Sequence, residues 1–414
     1  MSFQRSIAIV GAGLGGLACA RVLQLQNIPV IIYEREPTPE SRQQGGSLDM
    51  HSDSGFKALQ MAELVDEFKK LARYEDQQMK IVGMDGTVHF ANIEQPPEEG
   101  SEIDRPEIDR TQLRGILLDS LKPGTVKWNH GISKVTQEDN KATLHFLDSA
   151  LESAAHDFVV GADGAWSRVR PTLSSTVPVY SGVTFVDIFL NNVEKNHPDL
   201  AAFVKGGSTM VLGDNKGIMP QRNSNDVVRV YVAFRKPLAW VDEVGLKALV
   251  EEGRQAEARA LLLKEFEGWC SQARGYLQVP CFSMDVRPLY TFKRHAWDAN
   301  PHVTLLGDAA HCLVPFAGEG ANLAMLDGTE LATVIAKNMS AKGDAWLRAI
   351  KGFEAKMQRR AWSASDEGVS NMDTFISDND PAARSGAMMW RMMMVMNAWL
   401  TVKRFAFGWT RWLR

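Results

Sequence analysis

Cysteine is scarce in this sequence, and charge of neither sign is in excess. The four cysteines lie far apart and form no Cys-x-x-Cys pair, so neither a disulfide framework nor a zinc site is expected, nor any other metal. They are Cys19, Cys270, Cys281 and Cys312. The 46 lysines and arginines nearly balance 50 aspartates and glutamates, which argues against nucleic acid as a partner.

Long hydrophobic runs are also missing. No window of about 18 uncharged apolar residues occurs, so a membrane-spanning helix is not expected. The first strand candidate, Ser6 to Val10, begins too early for a secretory leader to precede it. With unpaired cysteines, these absences predict a cytoplasmic protein, and 45% apolar content is enough to build the cores of two or three domains.

Three apolar runs each end in glycine or Gly-Asp. They are Ile7–Val10 before Gly11, Phe158–Val160 before Gly161-Ala-Asp163-Gly164, and Val303–Leu306 before Gly307-Asp308. Continuous apolar strands are typical of a parallel α/β sheet, in which ligands bind at the carboxyl ends of the strands. We therefore expect the three glycine-rich ends to converge.

The region between the second and third runs has a different pattern. Strand candidates rich in β-branched and aromatic residues cover 183–190, 209–212 and 227–234, and they predict an inserted, mostly antiparallel sheet. Apolar residues at helical spacing predict helices over 15–26, 111–121, 256–272 and 320–338. We predict a discontinuous domain of residues 1–171 and 291–340, a substrate domain of 172–290, and a C-terminal helical segment of 341–414 that bridges them.

The sequence Gly11-Ala-Gly13-Leu14-Gly15-Gly16 lies directly after a strand and before a helix, which makes it a dinucleotide-binding candidate. Its glycines allow backbone amides to approach a pyrophosphate at the helix N-terminus. Glu34 lies 34 − 11 = 23 residues after the first glycine and can hold an adenosine ribose, which favours FAD or NAD over NADP. The alternative is a glycine-rich turn without a ligand.

The Gly-Asp ends favour FAD, because an extended flavin needs a second set of contacts. Asp163 and Asp308 are acidic groups at later strand ends, and Asp308 can accept from a ribityl hydroxyl. Pro315 leads into Gly318-Glu-Gly320, whose amides at a helix start can face the flavin pyrimidine. The alternative for Asp308 is a helix cap or a turn aspartate.

Together these motifs resemble the group A FAD-dependent aromatic hydroxylases, which have the para-hydroxybenzoate hydroxylase fold. Within that family, Gly45-Gly46-Ser-Leu-Asp49-Met-His51, residues 107–114 and residues 315–322 are most similar to tetracycline-inactivating monooxygenases, which confer antibiotic resistance. The resemblance implies an α/β fold with a Rossmann-like (GR2-type) parallel sheet that binds FAD. It further implies contacts to FAD from Glu34, Arg35, Asp49, Arg110 and Asp308, and a contact to the nicotinamide cofactor from Arg42.

The remaining cofactor candidates are Gly46, Arg114, Val135, Gly307, Ala321 and Asn322. Arg110 and Arg114 are four residues apart and share one face of a predicted helix, where Arg110 can neutralise a phosphate or donate to the flavin. The alternative is a surface pair bonded to Glu107 or Asp109. Arg42 can equally be a solvated loop arginine.

No second G-x-G-x-x-G motif occurs, so we expect NADPH, or NADH, to visit the flavin and leave. The resemblance implies that reduced flavin then meets O₂, and that a C4a-hydroperoxide transfers one oxygen atom to an aromatic or enolic polycyclic substrate. Because the flavin carries this chemistry, no catalytic side chain is assigned, and His311 is expected to be structural rather than a general base. A monomer is expected.

For the substrate pocket we predict Phe185, Met219, Arg229, Phe316 and Gly318, with Pro315 beside them; the alternative is that they belong to the core. The glutamine and arginine that bind tetracycline in the similar enzymes correspond to Phe185 and Ser208 here, and a histidine corresponds to Arg229. A tetracycline-like compound is therefore only one candidate beside other polycyclic or phenolic substrates.

Residues 381–414 contain six basic and no acidic residues, with four tryptophans and six methionines. This composition is consistent with a helix that closes over both domains, or with an interfacial helix on anionic lipid. Two other functions remain open: a flavin dehydrogenase or reductase of the same fold without oxygen transfer, and a non-catalytic flavin-binding or lipid-surface protein. A flavin halogenase is disfavoured, because no W-x-W-x-I-P tract is present.

Overall fold

A computed structural model describes residues 5–41, 46–74, 78–92 and 105–410, with the backbone alone for 397 and 399–410. Its strands are β1 Ile7–Val10, β2 Val30–Tyr33, β3 Ser47–Asp49, β4 Met79–Gly83, β5 Val88–Asn92, β6 Glu107–Asp109, β7 Val126–Lys127, β8 Ile132–Glu138, β9 Lys141–Phe146, β10 Ala154–His156, β11 Phe158–Gly161, β12 Val179–Leu190, β13 Ser208–Gly213, β14 Lys216–Asn223, β15 Val227–Arg235, β16 Ser283–Thr291 and β17 Val303–Leu305.

The helices connect these strands and fill the C-terminal part of the chain. They are α1 Leu14–Leu25, α2 Gly55–Met61, α3 Val65–Lys69, α4 Arg110–Asp119, α5 Val193–Asn196, α6 Pro198–Val204, α7 Trp240–Glu243, α8 Leu246–Glu251, α9 Gln255–Glu265, α10 Ser271–Gln278, α11 Asp308–His311, α12 Gly320–Lys337, α13 Asp344–Phe375 and α14 Pro381–Thr410. Short 3-10 turns cover Arg170–Thr172 and Pro315–Ala317.

The described chain divides into two compact units. The first consists of residues within 1–76, 96–181 and 289–371, and the second of residues within 77–95, 182–288 and 372–414. The main junctions lie at 181–182 and 288–289, and the predicted ones were at 171 and 291. The division differs in two respects, because β4 and β5 join the second unit by pairing with β13, and the C-terminal segment is shared between the units.

The first unit contains a parallel sheet of five strands in the order β17-β11-β1-β2-β7. Every residue of β1 is buried, as expected for a strand covered on both faces. Three antiparallel strands, in the order β10-β9-β8, form a second, smaller sheet, and β3 pairs with β6. The predicted convergence is confirmed, because β1, β2, β11 and β17 are adjacent and end at the same edge.

The second unit is built on a seven-stranded sheet in the order β16-β12-β15-β14-β13-β4-β5. Pairing is antiparallel from β12 to β13, and β13 and β4 form a parallel pair. Val228, Val230 and Val232 are fully buried in a core with side chains of the helices α6–α10. The alternating residues of β15 lie on the opposite face, so the predicted mostly antiparallel insertion is confirmed.

One predicted helix is wrong. The sequence pattern predicted a single helix over 256–272, but the chain forms α9 and α10 with a break between them. Gly268 in this break has φ of +80°, which a right-handed helix cannot accommodate. The break places Phe266 and Trp269 edge to face, with ring centroids 4.7 Å apart, inside the core of the second unit.

The helix α14 packs against the second unit through its first turns. The indole N–H of Trp390 donates to the carbonyl oxygen of His89 at 3.1 Å, and its ring lies edge to face on Phe90. Beyond this contact Met392, Met394 and Val395 are exposed. Among the helices that the structure describes, none combines the length and apolar content needed to cross a bilayer.

The crossing of α1 and α12 generates a stability prediction. A Cβ atom on Gly328 would overlap the carbonyl oxygen of Gly15 and lie 3.0 Å from the amide nitrogen of Cys19. We expect Gly328→Ala to lower the free energy of unfolding by about 1–3 kcal/mol, measured by denaturant titration.

The matched control is Gly352→Ala in α13, where a Cβ atom has no neighbour within 4 Å. It should leave stability unchanged or raise it by about 0.5–1 kcal/mol. If both substitutions changed the free energy of unfolding by the same amount, the close contact between α1 and α12 at Gly328 would be contradicted.

Candidate functional site

The glycine loop between β1 and α1 contains glycines of two kinds. Gly11 has φ of +105°, and a Cβ atom there would overlap the Ala162 carbonyl, while a Cβ on Gly16 would overlap the carbonyl of Gly11. These two glycines are required by backbone packing. Gly13 precedes α1 and has nothing within 4 Å of its Cβ position, so the helix N-terminus is open to a ligand there.

Glu34, at the end of β2, is buried and holds the glycine loop. One carboxylate oxygen accepts from the amide of Ala12 at 2.6 Å, and the other accepts from the amide of Glu36 at 3.0 Å. A carboxylate oxygen has two lone pairs, so each oxygen can still accept one further hydrogen bond. The two remaining acceptor positions match the two hydroxyls of a ribose.

Arg114, a predicted cofactor contact, is buried and bonded to the protein. Its guanidinium donates to the carbonyl oxygens of Ala12 at 3.1 Å and Pro39 at 2.7 Å, and lies 3.3 Å from the carboxylate of Glu36. It therefore ties α4 to the glycine loop. Asp109, one of the alternative partners, lies 2.9 Å from the guanidinium of Arg73.

Two aspartates follow the ends of neighbouring strands: Asp163 comes after β11, and Asp308 comes after β17. Asp308 begins α11 with an exposed side chain, and yet desolvation raises its pKa, although Arg110 and His311 act in the opposite direction. The pKa of Asp163 is also raised by burial, and its Oδ1 atom is buried without a hydrogen-bond partner.

A buried histidine connects β3 to the start of α12. The Nε2 atom of His51 lies 2.9 Å from the Asp49 carboxylate, and its Nδ1 atom lies 2.8 Å from the Glu319 carboxylate. The side chain of Asn322 accepts from the amide of His51 and donates to the carbonyl of Asp49 at 2.9 Å. Gly318, with φ of +70°, places the preceding turn next to Asp49.

His311 belongs to a buried ion-pair chain. Its Nε2 atom lies 2.5 Å from the carboxylate of Asp327, which also accepts from the amide of Gly307 and from Arg360 at 2.8 Å. Despite desolvation, Asp327 raises the pKa of His311. The arrangement holds the Gly307 turn against α12 and α13, which supports a structural role for His311.

The other predicted cofactor residues differ in their exposure to solvent. Leu14 and Gly46 are buried, Ala321 and Gly320 are half-buried in the first turn of α12, and a Cβ on Gly320 has nothing within 4 Å. Arg35 and Pro315 are exposed, and Phe316 is half-buried. Val135 lies apart on β8, where it pairs with Leu144, and Arg42 is outside the described residues.

The substrate candidates of the second unit share one face of the sheet. Met219 on β14 is directly opposite Tyr231 on β15, and Phe185 on β12 is opposite Ala233. Arg229 lies on the same face of β15, two residues before Tyr231. Ser208 lies in the same row as Arg229, through Gln221. This is the face opposite the helix-covered core.

Arg229 is 5% exposed and its charge is compensated by a buried carboxylate. Its guanidinium lies 2.5 Å from Asp187 and stacks on Tyr231 and Phe189, with its centre 4.5 Å and 5.0 Å from the ring centroids. Arg287 shares Asp187 at 3.1 Å and remains 42% exposed. Asp187 and Arg287 were not predicted from the sequence. The only sequence signal for this face was the alternation of Arg229 and Tyr231 with valines in β15.

The residues of the first unit fit an FAD. The α1 N-terminus and the α12 N-terminus are open at Gly13 and Gly320, Asp163 has an unsatisfied acceptor, and the side chain of Asp308 is exposed. Anionic pyrophosphate suits the open amides, and sugar hydroxyls suit the carboxylates.

Comparison with known proteins gives a consistent result. The sequence model of a family described as an FAD binding domain matches residues 4–367. Monooxygenase penA of Penicillium thymicola is 29% identical over 422 aligned positions, which cover 90% of this chain and 96% of penA.

Solved structures share the fold. Klebsiella pneumoniae HpxO, complexed with FAD and uric acid, has a TM-score of 0.76 at 19% identity, covering 95% of each chain. The tetracycline destructase Tet(51) has a TM-score of 0.67 at 22% identity, covering 95% of this chain and 98% of its own.

Asp308 provides a test of this site. Because desolvation disfavours the charged form of Asp308, Asp308→Ala should leave the unfolding midpoint unchanged or slightly higher. Loss of a charge-assisted hydrogen bond of about 1.5–3 kcal/mol should weaken FAD binding by about 10- to 100-fold, measured by quenching of flavin fluorescence.

The control is Asp298→Ala, which removes an exposed carboxylate of the same unit and should retain FAD. A D308A protein that purifies with a full complement of flavin would contradict the proposed ribityl contact.

Proposed function

Because the chain belongs to the FAD binding domain family and is an FAD-dependent monooxygenase, we propose that it uses NAD(P)H and O₂ to hydroxylate an aromatic or enolic polycycle. The resemblance to group A hydroxylases is confirmed by the family match and by the fold. The observation that carries the proposal is the convergence of Gly11, Glu34, Asp163 and Asp308 at one edge of the parallel sheet.

The chain's own residues bind and orient the cofactor. Amides at the α1 N-terminus would hold the pyrophosphate, and Glu34 would accept from the ribose. Asp308 would accept from the ribityl chain, and the amides of Gly318 and Gly320 would donate to the pyrimidine end of the flavin. When bound, FAD supplies hydride acceptance from nicotinamide and activation of O₂.

Arg110 balances the charge at this edge. It begins α4, its amide donates to the carbonyl of Gly46 at 3.1 Å, and its charge acts on Asp308. A cation at this point favours an ionised Asp308 and can stabilise negative charge that collects on a reduced flavin. These contacts support the proposal that Arg110 is a flavin contact.

The nicotinamide cofactor has no glycine-rich motif of its own in the sequence. We propose that NADPH, or NADH, binds transiently, with Arg42 as a contact to its phosphate. Transient binding would clear the flavin for O₂ after each hydride transfer. The chain is proposed to act as a monomer in the cytoplasm.

The substrate is proposed to contact the aromatic and cationic face of the second unit. Phe185 and Tyr231 are neighbouring rings 5.5 Å apart, and Met219 lies opposite Tyr231. Flat apolar rings and a flexible thioether suit a polycyclic substrate, and Arg229 suits an electron-rich oxygen on it. A tetracycline-like compound is one candidate of this class.

The function is tested with purified protein, FAD and NADPH against a panel of phenols and tetracyclines. We expect a true substrate to accelerate NADPH oxidation and to give a product heavier by 16 mass units, with the added oxygen derived from ¹⁸O₂. NADPH-dependent flavin reduction without oxygen incorporation would instead support a dehydrogenase or reductase. Absence of flavin reduction would favour a binding protein.

Arg229 provides the test of the substrate face. Since Arg287 still compensates Asp187, Arg229→Gln should fold, and it should raise KM for the substrate by about 10- to 100-fold with FAD retained. The control is Arg222→Gln, which lies on the opposite face of the sheet beside Glu194 and Asp226. An unchanged KM for R229Q would remove Arg229 from the substrate contacts.

A further inference from the structure

His51 has no part in the scheme so far, although it lies among the proposed flavin contacts. It is 5% exposed and each of its ring nitrogens faces a carboxylate oxygen within 3 Å. A neutral imidazole can donate from only one nitrogen, so the other would place a lone pair against an anion. Only the imidazolium satisfies Asp49 and Glu319 together.

The imidazolium joins two segments that are 268 residues apart in sequence. Asp49 ends β3, and Glu319 lies in the turn between Gly318 and Gly320, directly before α12. Asn322 makes a second connection between the same segments through the backbone of residues 49 and 51. The turn whose amides are proposed to donate to the flavin is therefore held to Asp49 by one charged side chain, that of His51.

We propose that His51 is a positioning residue for FAD, whose imidazolium clamps Asp49 to the Gly318–Gly320 turn and so keeps the flavin-binding amides in place. The inference rests on the proposed placement of the flavin at this turn, but not on any oxygen-transfer activity. Without the clamp, Asp49 and Glu319 would repel each other across a neutral ring, and the turn would lose its fixed position.

The clamp should depend on pH. Three charged groups act on His51: Asp49 on its own segment, Glu319 before α12, and Arg105 before β6, which lies 3.8 Å from Asp49. Although desolvation opposes protonation, the hydrogen bonds to the two carboxylates raise the pKa of His51 to about 9. A raised pKa means that the stabilisation is complete below about 6.5 and is lost as the pH rises through about 9.

The experiment follows retention of FAD by the holoenzyme between pH 6 and 10, read from free-flavin fluorescence after rapid ultrafiltration. Wild-type protein should retain FAD up to about pH 8 and release it with a midpoint near 9. Glu319→Gln keeps the histidine but removes one carboxylate, so its midpoint should move to lower pH. His51→Gln should bind FAD about 10-fold more weakly, with no transition in this range.

The control is His145→Gln, which changes a histidine bonded to Thr136 in the three-stranded sheet and should keep the wild-type profile. Unfolding midpoints of all variants show whether the fold is retained, and if H51Q does not fold, the shift in E319Q decides. A wild-type pH profile in H51Q, or an unmoved midpoint in E319Q, would overturn the proposal. Because FAD release is measured without turnover, a chain that failed to oxygenate any substrate would still give a clear answer.

Discussion

Close approach of backbone to backbone at the carboxyl ends of β1, β11 and β17 is the constraint on which the first unit depends. Gly11 lies against the Ala162 carbonyl, and Gly15 lies against Leu306 and the carbonyl of Ala324, so any side chain at these points would separate the strand ends. Their contact brings two helix N-termini and two acidic side chains to one edge. Anion-binding amides and hydroxyl-binding carboxylates can then act on a single long cofactor.

Charge is used differently in the two units. In the first, the Oδ1 atom of Asp163 has no hydrogen-bond partner, and desolvation raises the pKa values of Asp163 and Asp308. Such groups gain most from a ligand that brings its own hydroxyls. In the second, Asp187 pairs with both Arg229 and Arg287, and Arg287 remains partly exposed, so a cation is held in place among aromatic rings. The first unit is built to bind donors and anions, and the second offers a rigid cationic aromatic face.

Local sequence patterns were sufficient for the features that short segments determine. The glycine loop, Glu34 and the apolar strands could be predicted because each depends on a few adjacent residues, and the alternation in β15 was visible for the same reason. The role of Arg114 could not, since its partners Ala12 and Pro39 meet it only in the folded chain. The clamp of His51 likewise joins segments at opposite ends of the sequence. The site candidates thus came from motifs, whereas the residues that hold them in place required the fold.

The parallel pair of β4 and β13 has a consequence for how the chain is made. The hairpin of β4 and β5 can form early, but the strand that covers its inner edge begins at Ser208, which is 208 − 83 = 125 residues after Gly83. At ribosomal speeds of about 5–20 residues per second, this edge stays unpaired for about 6 to 25 seconds during translation. An unpaired edge is a site of intermolecular association, so we expect yields of soluble enzyme to depend on chaperones and expression temperature more than on final stability.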